Sequence, residues 1–462
     1  MSHSTNNTHL LLYSYPGSGH TIPLLDLTHL LLCRGLTVTI IVTSTADIPL
    51  LDPFLSLYPS SLHKLVFPDP EVTPSRHPLI AKVNSTQKLF DPIVQWFRSH
   101  PSPPTIIVSD FLLGWTSELA SHLGIRRVVF SPSGAFSSSV IHTLWQTIEQ
   151  AIAKNDVGDE NFLLAFQEIP NSPEFPWWQV PQVMRDYETG DQEFESFRKG
   201  MLANMTSWGI LYNTFEKLEE VYVNHMKSIM GHDRVWAVGP LLPETNGPIA
   251  ITGRGGWSTV SPDHLFTWLD QKPNESVVYI CFGSQVELNE KQMSALARAL
   301  ELSKVNFILC VKGSESSTIW TIPSGFEDRV GNRGLIVMGW VPQLAMLRHR
   351  AFGSFVTHCG WNSTLEAIIG GVVMLTWPMI ADQFANAALL VDQLGIAKRA
   401  CDGGPESVPD SVELARLLDE SLSVESPERV KIKELNQEAT NAVEQGTSTR
   451  DLDTFVKLVS EI

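Results

Sequence analysis

The sequence predicts an α/β protein built as two doubly wound halves, and three observations predict it. Short apolar runs alternate with amphipathic stretches over roughly the first 130 residues. The same alternation restarts after residue 275, and a stretch rich in Gly, Pro, Ser and Thr separates the two series. Repeated β–α–β units require parallel sheets covered by helices, because each crossover lays a helix on a sheet face. At 462 residues, 43% hydrophobic and 18% charged, the chain can bury two large cores and is too apolar for disorder.

The elements follow in order. HLLLYSY (9–15) reads as a strand, the segment from about Ile22 to Cys33 as a helix stopped at Arg34-Gly35, and LTVTIIVTS (36–44) as a β-branched strand. Residues 105–130 repeat this grammar: a strand, a loop with Asp110, a helix, Gly124, a strand. Residues 168–181 read as a proline-rich loop carrying Trp177 and Trp178. GILYNTF (209–215) and RVWAVGPLL (234–242) close the first half, residues 1–242, and 243–261 read as the linker. The second half, 262–440, opens with the strand SVVYICFGS (276–284), the helix 287–303 and the strand NFILCVK (306–312). LIVMGW (335–340), GSFVTH (353–358) and GVVMLTWP (371–378) supply three further strands. The chain is helical and charged from about Val430, and its end, 441–462, carries an apolar stripe of Leu452, Phe455, Val456 and Val459. Two such halves place a ligand in the crevice between them, at strand C-terminal ends.

Charge and cysteine usage narrow the partners. A formal net charge of −17 argues against duplex nucleic acid or an anionic membrane, both of which need a basic surface. It leaves room for an anionic small molecule held by backbone N–H groups at a helix end. Cys33, Cys281, Cys310, Cys359 and Cys401 are odd in number and form no CxxC, as in a reduced cytoplasmic protein. MSHSTNNTHL shows no secretory signal, and no run approaches the roughly 20 apolar residues of a membrane span.

His20 is the first residue with chemistry. It lies in YPGSGHTIP, between a strand and a helix, where a parallel sheet presents its ligand. It is either a helix cap or a reactive imidazole. Asp110, at the end of another strand, is either a helix N-cap or the carboxylate that orients such an imidazole. A Ser-His-Asp hydrolase using Ser18 is the obvious competitor, but the GxSxG elbow that chemistry needs is absent. A His-Asp pair without its own nucleophile fits a substrate that brings one, such as a hydroxyl. The second half holds a denser constellation in residues 340–383. His358, Gly360, Trp361, Asn362 and Ser363 crowd one strand-to-helix turn, an anion cradle at a helix N-terminus. Glu366 suits a ribose diol, Trp340 offers a flat face for a base, and Asp382 with Gln383 suits sugar hydroxyls. Each also has a plain structural use, in the core or as a cap.

Residues 340–383 resemble the signature box of the plant family 1 UDP-glycosyltransferases: the segment starts at Trp340, contains HCGWNS and ends in Asp382-Gln383. The GH of PGSGH, SDF, VGPL and FGS extend the resemblance along nearly the whole chain. It implies a GT-B fold, two Rossmann-like domains whose parallel sheets face a central cleft, with the C-terminal helix packed back on the N-terminal domain. It further implies that His20 deprotonates an acceptor hydroxyl and that Asp110 holds it. Trp340 would stack on uracil, and the Val341 backbone with Gln343 would read the base and ribose. Glu366 would bind the ribose hydroxyls. His358, Asn362 and Ser363 would hold the diphosphate, helped by Ser284 and Ser18, and Trp361, Asp382 and Gln383 would contact the sugar.

The implied reaction is an inverting transfer from a UDP-sugar co-substrate, with no metal and no further cofactor. The one DxD, Asp451-Leu452-Asp453, reads as a solvated helix face. Gln383 favours UDP-glucose within the family, while the GGV-MLxWPM wording is similar to flavonol 7-O-rhamnosyltransferases, which leaves UDP-rhamnose or UDP-xylose as the alternative donor. The acceptor pocket is expected from N-terminal loops, with Phe111, Ser133, Phe136, Trp145, Trp177 and Trp178 as candidates, and an aromatic cleft suits a small planar phenol such as a flavonoid. A monomer is expected. A non-catalytic UDP-sugar binding module is the remaining competitor.

Overall fold

The computed structural model describes residues 8–44, 48–155, 158–242, 256–312 and 322–462. In chain order, the first strands are β1 (His9–Tyr13), β2 (Thr37–Val42), β3 (Leu62–Val66), β4 (Ile106–Asp110) and β5 (Arg126–Ser131). A small antiparallel pair follows, β6 (Leu163–Ala165) with β7 (Glu174–Pro176), and then β8 (Gly209–Tyr212) and β9 (Val235–Ala237). The second series is β10 (Val277–Cys281), β11 (Asn306–Val311), β12 (Gly334–Met338), β13 (Phe352–Thr357), β14 (Val373–Thr376) and β15 (Ala397–Arg399).

Two parallel sheets result, ordered β3-β2-β1-β4-β5-β8-β9 and β12-β11-β10-β13-β14-β15. Both are doubly wound. In the first, β1 and β4 are neighbours and the order runs outward from them in opposite directions. In the second, β10 and β13 hold the same position. Such a switch point opens a gap beyond the strand C-termini, because the connections leave on opposite faces.

The chain divides into two units. Among the described residues, those before 243 together with Ala442–Ile462 form one, and those from 256 to Asn441 form the other. The expected linker, 243–261, lies outside the described residues as far as 255. Its last part belongs to the second unit, since Ser258 bridges Gly339 and Thr259 N donates to Met338 O at 3.0 Å.

One face of the first sheet buries Leu10, Leu12, Val108, Val128 and Phe130 against Leu24, Leu27 and Leu31 of the helix Ser18–Cys33. Leu452, Phe455 and Val459 of the helix Thr447–Ser460 complete that core, with the Phe455 ring edge-on to Trp236 at 5.2 Å. The second core joins Val278, Ile280, Leu309 and Val356 to Leu296 and Leu300 of the helix Glu290–Leu302. Asn289 starts that helix with a capping box to Gln292.

Candidate active site

Both switch points carry the residues singled out in the sequence. In the first unit the chain leaves β1 and enters the helix at Ser18, not at about Ile22. His20 therefore stands in the first helical turn, with its backbone N–H donating to Gly17 O at 2.9 Å. Asp110 is the last residue of the neighbouring β4 and is fully buried. His20 Nδ1 lies 2.7 Å from Asp110 Oδ2. A carboxylate only accepts, so Nδ1 carries the proton and Nε2 the lone pair. Leu112 N donates to Asp110 Oδ1 at 2.9 Å, so both carboxylate oxygens are bonded. Tyr15 meets the imidazole edge-on at 5.1 Å, and Phe111 stacks on it at 6.0 Å with 24° between the planes. Burial, reinforced by the Asp110 charge, pushes the Tyr15 phenol up to about 12, so it stays neutral beside the pair. An imidazole gripped in this way can take a proton at Nε2 while the carboxylate stabilises the resulting cation.

In the second unit, Gly283 follows β10 and His358 follows β13. His358 is held between two glycines. A Cβ at Gly283 would meet His358 Nε2 at 2.6 Å, and one at Gly360 at 2.5 Å. Burial pulls the His358 imidazole down to about 4. At neutral pH it is therefore uncharged, and what it can offer a ligand is an N–H donor. The helix Trp361–Gly370 begins at Gly360 with no side-chain cap, and its N-terminal end directs its dipole toward the turn that holds His358. Gln343 ties this helix to the sheet: its Nε2 donates to Ser363 Oγ at 2.9 Å and Glu366 Oε2 at 2.5 Å, and its Oε1 accepts from Tyr279 Oη at 3.0 Å. Asn386 Nδ2 joins Cys359 O at 2.9 Å and Asp382 Oδ2 at 3.2 Å.

The geometry narrows several expectations. Gln383 Oε1 accepts from Met379 N and Ile380 N, both at 2.9 Å, so only its amide nitrogen is left to serve a sugar. Trp361 is buried and shows a ligand little of its ring. Trp340 is half-buried, its backbone N–H donating to Trp257 O at 2.8 Å. Val341 O accepts from Gln343 N at 2.8 Å. Asn362 is half-buried, while Ser18 and Ser284 are exposed at the ends of their turns.

Of the acceptor candidates, Phe111, Ser133 and Trp178 keep accessible surface, and Trp177 is mostly buried. Phe136 and Trp145 are corrected to core positions. Phe136 is sealed against Tyr222 at 4.6 Å, and Trp145 against Phe197 at 5.7 Å, so neither offers a surface to an acceptor. Of the DxD, Asp453 is solvated as expected and pairs with Arg34 at 2.6 Å, whereas Asp451 is half-buried, its Oδ2 accepting from Ala237 N at 2.8 Å. Sequence reading missed Tyr279 and Asn386. The available signal was a lone hydroxyl in the apolar strand VVYIC, and an amide one helical turn after Asp382.

Residues 260–400 match the family model described as UDP-glucoronosyl and UDP-glucosyl transferase. A flavonol 3-O-glucosyltransferase of Arabidopsis thaliana is 45% identical over 471 residues, 98% of this chain and 96% of that protein. A flavonol 7-O-rhamnosyltransferase of the same plant is 36% identical over 479 residues, 98% of each chain. The solved structure of Arabidopsis thaliana UGT89C1 with UDP-L-rhamnose superposes with a TM-score of 0.78 at 34% identity, over 98% of this chain and 99% of that one. Two Rossmann-like units with these relatives define a glycosyltransferase of the GT-B fold. The chain belongs to the plant family 1 UDP-glycosyltransferases.

Proposed function

We propose that the enzyme transfers glucose from UDP-glucose to a hydroxyl of a small phenol of the flavonoid class, inverting the anomeric carbon. The observation that carries this is the 2.7 Å contact between His20 Nδ1 and the buried Asp110 carboxylate. His20 Nε2 takes the phenolic proton as the oxygen attacks the anomeric carbon. The bond from that carbon to the diphosphate breaks, and UDP leaves with the electron pair. The oxygen attacks opposite the leaving group, so configuration inverts. The growing charge on UDP is met by the N-terminal end of the helix that starts at Trp361, by His358, and by Asn362, Ser363, Ser284 and Ser18. Trp340, the Val341 backbone and Gln343 hold uracil, while Glu366 holds the ribose. Asp382, the Gln383 amide and the edge of Trp361 face the sugar. Phe111, beside the base, is the first wall of the acceptor site, with Ser133, Trp177 and Trp178 as its further candidates.

Glucose is favoured by Gln383 and by the 45% identical glucosyltransferase; the rhamnosyltransferase relative keeps UDP-rhamnose as the second donor. The proposal includes a metal-independent monomer working in the cytoplasm. Metal independence is supported by the place of the DxD on the terminal helix, where Asp451 accepts from Ala237 N and Asp453 pairs with Arg34. The test offers UDP-glucose, UDP-rhamnose and UDP-xylose separately with a panel of flavonols and hydroxybenzoates, reading product masses beside a His20→Ala control. A hexose adduct, lost in His20→Ala and unaffected by EDTA, is the expected result. A deoxyhexose adduct overturns the donor assignment and keeps the mechanism. An adduct that persists in His20→Ala overturns the base.

A further inference from the structure

The strand that ends in Asp110 is gripped from its opposite face by a cation that the transfer chemistry does not use. Arg127, the second residue of β5, is 4% exposed. Its register partner in β4 is Ile107, so Arg127 shares a sheet face with Ile107 and Ser109, while Asp110 shares the other with Val108 and Phe130. Arg127 Nε donates to Ser109 Oγ at 3.0 Å and to Thr116 Oγ1 at 2.8 Å. Ser109 and Thr116 hydroxyls are themselves 2.7 Å apart. Arg127 Nη2 donates to Asn204 Oδ1 at 2.9 Å, and Asn204 Nδ2 donates onward to Phe111 O at 2.9 Å. The guanidinium thus holds the residue before Asp110 by its side chain and the residue after it by its carbonyl. Phe111 is also the ring stacked on His20.

We propose that Arg127 is a positioning residue for the His20–Asp110 pair, acting through Ser109 on one side of Asp110 and through Asn204 and Phe111 on the other. Burying an arginine side chain without a directly bonded carboxylate is costly; the Ser109, Thr116 and Asn204 oxygens offset part of that cost, while Nη1 is buried with no partner among the described residues. Burial pulls the guanidinium down to about 9, with the Asp110 charge opposing the pull, so Arg127 remains a cation at neutral pH. The titratable groups around the pair are Tyr15 from the turn after β1, His20 from the first helix, and Asp110 and Arg127 from adjacent strands. A cation here makes protonation of the pair harder. Its removal moves the acid limb of the rate profile to higher pH.

The inference rests on the proposed role of His20 as base, and the experiment separates the two. Full-length Arg127→Met, Arg127→Lys and Asn204→Ala are compared with wild type and His20→Ala for kcat, donor KM, UDP affinity by calorimetry, and the pH profile of kcat/KM. Arg127→Met is expected to lose about 10- to 100-fold in kcat, the scale of a misplacement near 1 Å. Its UDP affinity should stay within about twofold, and its acid limb should move up. Arg127→Lys keeps the charge, so its limb should stay in place while kcat recovers in part. Asn204→Ala should lower kcat without moving the limb. Wild-type kcat and an unmoved limb in Arg127→Met and Asn204→Ala, with His20→Ala inactive, overturn the inference alone. So does a loss of UDP affinity in parallel with kcat, which marks general misfolding. Should Arg127→Met fail to fold, Arg127→Lys and Asn204→Ala give the same decision. An active His20→Ala removes the base, and the inference with it.

Discussion

His142 and His358 are imidazoles that the fold holds without charge. Burial pulls each to about 4, and for His142 the neighbouring His225 adds to the effect. Neither His142 nitrogen has a hydrogen-bond partner among the described residues. A depressed histidine binds its proton more readily when unfolded. Stability is therefore full above about pH 6.5 and falls as pH drops toward 4. Each such residue removes about 2 kcal/mol between pH 7 and pH 5 by this linkage. We expect His142→Phe to keep that amount at pH 5, read as a smaller drop in unfolding free energy from urea titrations at the two pH values. An unchanged drop would mean that His142 titrates normally. At this scale the sequence showed which residues stood at strand ends, so His20, Asp110 and His358 were legible from position. Burial was not, because it depends on what other elements bring. Phe136 and Trp145 look like pocket walls in a string of letters and are core in the fold. Arg126 and Arg127 are adjacent and alike in sequence, yet only Arg126 is exposed.

The turns that carry these residues are built around close approaches of backbone to ring. Gly283 needs its hydrogen twice over, for a φ of +75° and for the 2.6 Å that a Cβ would leave to His358. Gly360 has an ordinary φ of −60°, so only the 2.5 Å approach to the same ring requires glycine there. Gly360→Ala should push His358 and the start of the helix Trp361–Gly370 apart, weakening UDP binding at least about tenfold, as misplacement in a preorganised site does. Nothing in the first unit changes, so the pH profile at saturating donor should match wild type. Calorimetry with UDP checks this, and wild-type affinity would show that the turn yields without cost. Elements were legible where signals were local: the β-branched runs, and Gly124 at a helix end. They were missed where pairing was distant or a cap was silent. β7 exists because β6 lies beside it, and the helix at Ser18 opens on Gly17, with Pro23 inside it blurring the start.

Across the whole molecule, the last residues complete the first unit. Leu452, Phe455 and Val459 are buried in its core beside Leu211, Trp236 and Val238. Ser448 Oγ donates to Gly239 O, and Asp451 accepts from Ala237 N, so the helix is bonded as well as packed. Burying three such side chains contributes about 1.5–3 kcal/mol each. Their sum is comparable to the 5–15 kcal/mol that typically separates a folded domain from its unfolded chain. The first unit therefore cannot reach its native core before the second has been synthesised. We expect a fragment of residues 1–249 to lack a cooperative thermal transition and to bind a hydrophobic dye. Adding the peptide 442–462, or fusing it through a flexible linker, should restore the transition. A fragment of residues 250–441 contains Gln343, His358, Glu366 and their hydrogen-bond partners. It should fold alone and bind UDP within about tenfold of the full chain. A cooperative 1–249 fragment would show that the terminal helix is dispensable to the core it fills, and would place its use elsewhere.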